Sequence, residues 1–533
     1  MDRRLMLLFL VAGAFALVAA AGSSAARGRI AAGRSSSAPT AAVRGTLTIA
    51  TEEDVRSADN ILEGGTTTDK LMMESTVYDA LFTTGRQTQL EPDLALSATS
   101  SKDLKTWTIA LRHNVKFTDG KLFTSKDVKA NFDAFLNPKN ASSFTGDLAN
   151  VASTQIVNTY TFRFNLKLPD ARFPSVLEDT MYMSDLDARA SKQLLAPGEV
   201  PIGTGPYKWS SRTPGSSVTF VPNDSYWRGK PPLGKVVFEV IPQAQSAVIA
   251  LQKGDVDMIA NYVPPQAIPT LKSDPNIVLK ASSGSTEYHA YMNMHKTYGN
   301  AHDVHLGLEY LMNTSVLIPK LIGDFGPIAS QPIPRWQAGS DPKLKVYPYD
   351  PTKGEQLLAA GGIPKGGTIS LLAIQDRPFL CDWATAVQSN LKSLGYNAQL
   401  QCSPSAVLPP QLTKYQWDLL FYRNSGRATA GIDYQQRWGL AIAAAANDSY
   451  TLQDPTLQGL IDKMNATVDP KKYAALGAQV ADRIVVTDVA DAPGYFDEAY
   501  FPIRTRVKGF VLSPLTWYGL LDNAINKVSV SGS

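Results

Sequence analysis

The stretch Pro201–Ala260 constrains this chain more than any other, because three sub-motifs follow one another in it with no room for an alternative architecture. Gly203-Thr204-Gly205-Pro206-Tyr207 is a turn that leads into an alternating strand at Ser217–Val221, and the polar-aromatic loop Asn223-Asp224-Ser225-Tyr226-Trp227 comes next. Val236–Ile241 is an uninterrupted β-branched and apolar run of the kind buried on both faces in a parallel sheet. Gln243–Gln252 has helical composition, Gly254 stands where a C-terminal stop is expected, and Val256–Ala260 reads as a second strand. A strand–helix–strand crossover of this kind is right-handed, so this part of the chain is α/β and not a sandwich.

Other segments divide the rest of the chain. Thr46–Thr51 alternates as an opening strand, and Asp69–Phe82 reads as a helix ending in Tyr78-Asp79-Ala80-Leu81-Phe82. Trp107–Arg112, Val115–Phe117 and Thr161–Leu168 read as strands, with Asp119-Gly120 as a hairpin turn. Thr124 and Asp127 form a capping box ahead of a helix that would bury Val128, Phe132, Phe135 and Leu136 on one face. Further on, Glu287–Met294 is a strand and Leu306–Met312 a helix. Asp350-Pro351 starts a helix that Gly361-Gly362 stops. Thr368–Ile374, a helix near Cys381–Leu394 and Asn397–Cys402 make a second strand–helix–strand unit, and Trp417–Tyr422 is a strand.

Three of these segments carry a resemblance. Gly203–Trp209 followed by Asn223–Pro242 and Ala250–Ala260, then Trp107–Asn131, and Tyr349–Gly361 are similar to the signatures of the large solute-binding proteins of bacterial ABC importers, family 5, the peptide, oligopeptide and nickel group. The resemblance implies an α/β, periplasmic-binding-protein-like fold of type II in its large three-lobed form, with two α/β lobes around a cleft and an extra β-rich lobe. The expected boundaries are a signal peptide over 1–26, a flexible leader over 27–44, a first lobe from 45–82, 196–285 and 493–533, the extra lobe over 83–195, and the third lobe over 286–492.

Arg3 and Arg4 precede a 17-residue apolar run, Leu5–Ala21, and small residues follow it, which is the pattern of a cleaved export signal. Relatives often carry a lipid-attachment Cys at the end of that run; here Ala20, Ala21 and Gly22 stand there, so a soluble periplasmic protein is expected. Residues 1–44 hold six Arg and one Asp, so the whole-chain charge of +3 falls to −2 once they are set aside. The basic balance therefore gives no reason to expect nucleic acid as a partner. Residues 45–533 are too many for one core and show no short-period repeat.

The chain has two cysteines. In a parallel strand–helix–strand unit the helix N-terminus and the end of the second strand share a sheet edge, so Cys381 and Cys402 can meet. An oxidising compartment favours a disulfide between them, and the alternative is two buried thiols.

No G-x-S-x-G elbow, H-E-x-x-H pair or Walker A loop occurs, Gly203-Thr204-Gly205 lacks the rest of a phosphate loop, and Asp255 and Asp257 sit on a predicted strand. No enzyme activity and no cofactor are expected. Four of the five histidines, His289, His295, His302 and His305, fall close together, yet no carboxylate or Cys stands at a ligand spacing, so no metal is expected.

The resemblance implies that ligand contacts come from Trp417–Trp438 and from the crossing near Pro493–Pro502. The candidates are Tyr422, Arg423, Asn424, Arg427, Asp433, Trp438, Tyr495, Phe496 and Trp517. Peptide binders of the family carry an Asp just after this strand to pair the peptide ammonium; an ungapped count puts Ser425, Gly426 or Arg427 there, and Asp433 compensates only with a shifted loop. Arg423 and Arg427 are candidates for a fork on a carboxylate or phosphate, and the aromatics for stacking on sugar or apolar groups, with core packing the alternative for each. The expected function is a monomeric receptor that captures a small solute (peptide, oligosaccharide or anionic metabolite) and hands it to ABC permease subunits. A sensor docking on a membrane receptor, and less so an enzyme on the same scaffold, are the alternatives.

Overall fold

The strand Thr46–Thr51 lies at the middle of a seven-stranded sheet and is flanked by two parallel partners, Lys235–Val240 and Met258–Ile259. The computed structural model describes residues 44–531 apart from 55–58, 62–67, 86–88, 141, 179–180, 189–198, 261–262, 283, 324–325, 376–377, 405–406, 409–411, 413, 415, 428, 441–453 and 513–523. The export signal, all but the last residue of the leader, and Trp517 therefore lie outside the described residues. Helix Ala244–Lys253 joins the two flanking strands across Thr46–Thr51 and buries Ala247, Val248 and Leu251 against Ala50 and Ile259. Because it sits over that central strand, the run Val236–Ile241 is not buried on both faces as its composition suggested: Val236 and Phe238 are buried, while Val237, Glu239 and Val240 are half-exposed. Ser217–Pro222 and Tyr207–Thr213 extend the sheet on one side, and Tyr500–Arg504 and Ile277–Ala281 on the other, all by antiparallel pairing.

The first helix runs over Thr68–Val77 and stops short of the expected Phe82. Its last turns are replaced by an extended passage that buries the Asp79 carboxylate. Thr204 Oγ1 donates to it at 2.6 Å, Tyr226 Oη at 2.9 Å and Trp227 Nε1 at 2.9 Å. Burial pushes this carboxyl up, and the three donors and the Arg228 guanidinium oppose that. Gly203 and Gly205 are required here: a Cβ on either would lie 2.2 Å or 2.4 Å from the Val77 backbone. The Gly-Thr-Gly-Pro-Tyr turn and the Tyr-Trp loop thus converge on one buried anion.

The extra lobe is a four-stranded antiparallel sheet, ordered Ala95–Ser100, Thr106–Leu111, Thr161–Leu166, Val151–Asn158. Val115–Phe117 does not become a full strand; a single bridge, Lys116 to Leu122, closes the turn at Asp119-Gly120. Helix Ser125–Leu136 begins with both halves of the Thr124–Asp127 capping box and packs Phe132 edge-on against Phe164 at 4.8 Å, with Leu136 only partly buried.

A five-stranded sheet, ordered Asn397–Ser403, Thr368–Ile374, Leu419–Ser425, Thr286–Met292, Asp491–Phe496, forms the remaining lobe. Helix Pro378–Ser393 covers the parallel pair Thr368–Ile374 and Asn397–Ser403, and Cys381 and Cys402 are disulfide-bonded with their Cα atoms 6.0 Å apart. Two segments cross between the large sheets side by side. Ser282 N donates to Ala499 O at 2.9 Å and Asp497 N to Thr286 O at 3.0 Å. Residues 493–496 remain in the five-stranded sheet, so the return passage lies at 497–499, later than the sequence boundary at 493. Gly284 adopts φ +65° in the outgoing passage, where a Cβ would meet Asp497 O at 2.6 Å. Among the described residues no helix is long and apolar enough to cross a membrane.

Two outcomes test this account. Asp79→Ala leaves three buried donors without their acceptor and is expected to cost ~3 kcal/mol in denaturant unfolding; an unchanged midpoint would show that the anion does not hold the first lobe. The Cys381–Cys402 bridge closes a 21-residue separation, so Cys402→Ser is expected to lower stability by roughly 3 kcal/mol.

Candidate functional site

The strand Leu419–Ser425 ends at the same edge as the start of Thr286–Met292, with Ser425 opposite Thr286 and Gly426 N bonded to Ser285 O at 2.9 Å. From there the chain turns into helix Ala430–Trp438, capped by Thr429. Arg437, buried on this helix, donates from Nη1 to Glu287 Oε2 at 2.6 Å and from Nη2 to Pro332 O, and its Nε lies 3.9 Å from Asp433 Oδ1. These contacts clamp the helix onto the sheet and aim its other side, Ile432, Gln435 and Gln436, away from the core.

That side faces the extra lobe. Gln436 Nε2 donates to Asp147 Oδ1, Ala171 N to Asn465 O at 2.8 Å, and the Arg172 guanidinium lies 3.8 Å above the Tyr473 ring. Between these contacts is a cavity of about 320 Å³. The extra lobe contributes Asp147, Asn150, Lys167, Asp170 and Arg172; the facing lobe contributes Gln435, Gln436, Gln458, Asp462 and Asn465, with Val176, Ile432 and Leu440 as apolar wall. Arg427 and Glu178 line a small recess that shares Asp147, Val176, Ile432 and Gln436 with it. Burial pushes the Asp147 and Asp462 carboxyls up, the former against the pull of Arg427, and takes Asp170 to about 6.

Among the described residues singled out from the sequence, none lines the cavity itself, and one lines the recess beside it. Arg427 does so, with Nε bonded to Gln436 Oε1 at 2.6 Å. Arg423 pairs across the strands with Tyr288, whereas Tyr422 and Asn424 pair with His289 and Glu287 on the other face. Alternation therefore sends Arg423 to the side opposite the Ala430–Trp438 helix that holds Arg427, and the two arginines do not form a fork. Asp433 is turned into the protein, where it accepts the Arg427 N–H at 2.9 Å. Its carboxylate therefore does not take the place of the one that peptide binders carry after this strand. Trp438 is buried edge-on against Tyr291 at 5.3 Å, Tyr495 stacks on Tyr288 at 4.7 Å, and Phe496 is buried too. Tyr422 stays half-buried beside Tyr291. Sequence reasoning missed Asp147, Asp170 and Asp462, which carry no motif; Gln435 and Gln436 lay within the segment it marked but were not named.

Behind the helix is a buried titratable network. His289 Nδ1 and Asp491 Oδ1 are 2.5 Å apart, His289 Nε2 meets Asn424 Nδ2 at 2.8 Å, and Asn424 also reaches Tyr291 Oη at 2.6 Å. Glu287, His289 and Asp491 bring donor atoms within 4.8 Å of one another, the spacing of a metal site. The Arg437 guanidinium on Glu287 and the partners on both His289 nitrogens suit a proton-sharing network better than a cation. Desolvation drives Glu287 and Asp491 up to about 7 and His289 down to about 4. Buried Glu309, repelled by Asp491 as well, is pushed up to about 8.

Glu309 sets a pH dependence with a definite sign. The folded protein keeps its proton until about pH 8, while the unfolded chain releases it near the ordinary glutamate value. Its contribution to stability is therefore complete at low pH and is lost as pH rises through that window. Glu309→Gln does not titrate, so its stability relative to the unmodified protein is expected to rise by roughly 2–4 kcal/mol between about pH 5 and about pH 9. Thermal unfolding of the pair across that range checks it; a constant gap would contradict the buried acid.

The family model "bacterial extracellular solute-binding proteins, family 5 Middle" matches residues 89–441. Heme-binding protein A of Haemophilus influenzae is 28% identical over 480 residues, covering 84% of this chain and 85% of that protein. A glutathione-binding protein of Escherichia coli K12 is 27% identical over 324 residues, 61% of this chain, and the match spans only 63% of that relative's length. Among solved structures, the binding protein AgaA of A. tumefaciens R10 in complex with agropinic acid superposes with a TM-score of 0.81 at 25% identity, covering 92% of this chain and 99% of that one. The periplasmic binding protein DppA of Helicobacter pylori, in complex with the peptide STSA, gives 0.80 at 23% identity, covering 92% and 98%. The fold is that of the type II periplasmic binding proteins, and the chain belongs to the family 5 bacterial extracellular solute-binding proteins.

Proposed function

We propose that this protein is an exported receptor of an ABC importer, which captures a small organic solute between its lobes and presents the closed complex to membrane permease subunits. The observation that carries the reading is the cavity between the extra lobe and the helix Ala430–Trp438, walled by polar side chains from both sides. A site walled by two lobes gives the ligand a physical means of favouring closure. It contacts both walls only when they approach, and that differential affinity shifts the population. The chain is read as a monomer without cofactor or catalytic role, and the pattern Arg3-Arg4 followed by Leu5–Ala21 supports delivery to the periplasm as a soluble protein. Relatives that bind glutathione, heme, a peptide or agropinic acid show how widely ligand chemistry varies on this scaffold.

Native mass spectrometry of the protein as purified tests the proposal. A bound organic solute that leaves on mild denaturation, and whose return lowers the radius of gyration in solution scattering, is the expected result. A protein that carries no solute and whose scattering is unaltered by any member of a broad metabolite panel would defeat the receptor reading.

A further inference from the structure

The extra lobe touches the facing lobe through a turn that is fixed from its own side. After strand Thr161–Leu166, Asp170 N donates to Leu104 O at 3.1 Å, Arg172 N to Asp170 Oδ1 at 2.8 Å and Ser175 N to Arg172 O at 2.8 Å. The turn presents Ala171 N to Asn465 O at 2.8 Å and lays the Arg172 guanidinium 3.8 Å above the Tyr473 ring. Arg172 Nε is buried and meets no acceptor among the described residues, so the cation is answered by the ring face and, through space, by the Asp170 carboxylate of its own turn. The receiving side is fixed as well. Asn465 ends helix Pro455–Asn465, and Tyr473, buried on helix Pro470–Asp482, accepts the Gly431 N–H at its Oη at 2.8 Å. Gly431 is required for this meeting, because a Cβ there would lie 2.0 Å from Asn465 Oδ1 and 3.2 Å from Tyr473 Oη.

Both halves of this contact are held in place before they meet, and neither needs a bound molecule. We infer that Ala171 and Arg172 of the extra lobe, with Asn465 and Tyr473 of the facing lobe, form a latch that keeps part of the solute-free protein closed. The two lobes belong to one chain, so the latch acts intramolecularly at a high effective concentration, and two contacts of modest strength are enough to populate the closed form. A solute then enlarges a population that already exists, and its apparent affinity is penalised less the larger that population is. Arg172 and Asn465 also stand in the cavity wall, so latch and solute act at one interlobe seam. This goes beyond the receptor reading, because it concerns the protein with nothing bound.

Pulsed electron paramagnetic resonance tests the latch on the protein freed of solute and spin-labelled at two exposed positions, Lys102→Cys on the extra lobe and Ser389→Cys on the facing lobe. A component at the label separation of the closed structure is expected with otherwise unchanged residues. Its ratio to the remaining component is expected to fall roughly threefold to tenfold in Arg172→Gln and in Tyr473→Leu. Arg172→Gln is expected to add nothing in the Tyr473→Leu background, since both substitutions remove one contact. Absence of the closed component when Arg172 and Tyr473 are intact, a ratio unchanged by Arg172→Gln, or an effect of Arg172→Gln that persists in full beside Tyr473→Leu would each overturn the inference. The first of these outcomes decides without either substitution, so a variant that does not fold leaves the latch open to refutation. With no solute present, every outcome is independent of whether the receptor reading holds.

Discussion

A single buried carboxylate ties the first lobe together. Asp79 accepts from Thr204, Tyr226 and Trp227, residues contributed by two segments far from it in the chain. An anion in so dry a place is tolerated only while every donor is present, so the two segments are held to one geometry. The first helix gives up its last turns to deliver that carboxylate, and Gly203 and Gly205 give up side chains to let the turn approach Val77. The central strand Thr46–Thr51 and its crossover helix then build a sheet around this anchored edge.

Arg437 plays the corresponding part in the other lobe. Its guanidinium is buried against Glu287, Asp433 and the Pro332 carbonyl, and its charge is what makes two neighbouring carboxylates acceptable there. Because the helix Ala430–Trp438 is pinned on one side by this contact, its opposite side presents Gln435 and Gln436 to the extra lobe at a set height. The cavity is a consequence of that placement together with the contacts of the extra lobe at Asp147, Ala171 and Arg172.

Local physics made much of the architecture legible in the sequence. The capping box at Thr124–Asp127, the Asp350-Pro351 start with its Gly362 stop, and the Cys381–Cys402 pairing follow from spacing and hydrogen-bond chemistry over a few residues or one supersecondary unit. The readings that differed did so where distant groups intervened. The helix expected to reach Phe82 ends at Val77 because of donors more than a hundred residues away. The run Val236–Ile241 is half-exposed because the crossover helix covers its neighbour and not the run itself.

The candidate site shows the same division more sharply. Sequence alone determined the class of fold and the family resemblance, since each depends on periodicity and motif order carried in contiguous residues. Only the tertiary structure decided which side chains face the cavity. Strand alternation turned Arg423 away from Arg427, helix rotation buried Asp433 and Trp438 and left Gln435 and Gln436 half-buried, and the docking of the extra lobe brought Asp147 and Asp462 to one cavity. A carboxylate on one lobe acquires its meaning from the wall it faces, and that wall is built by residues some three hundred positions further along the chain.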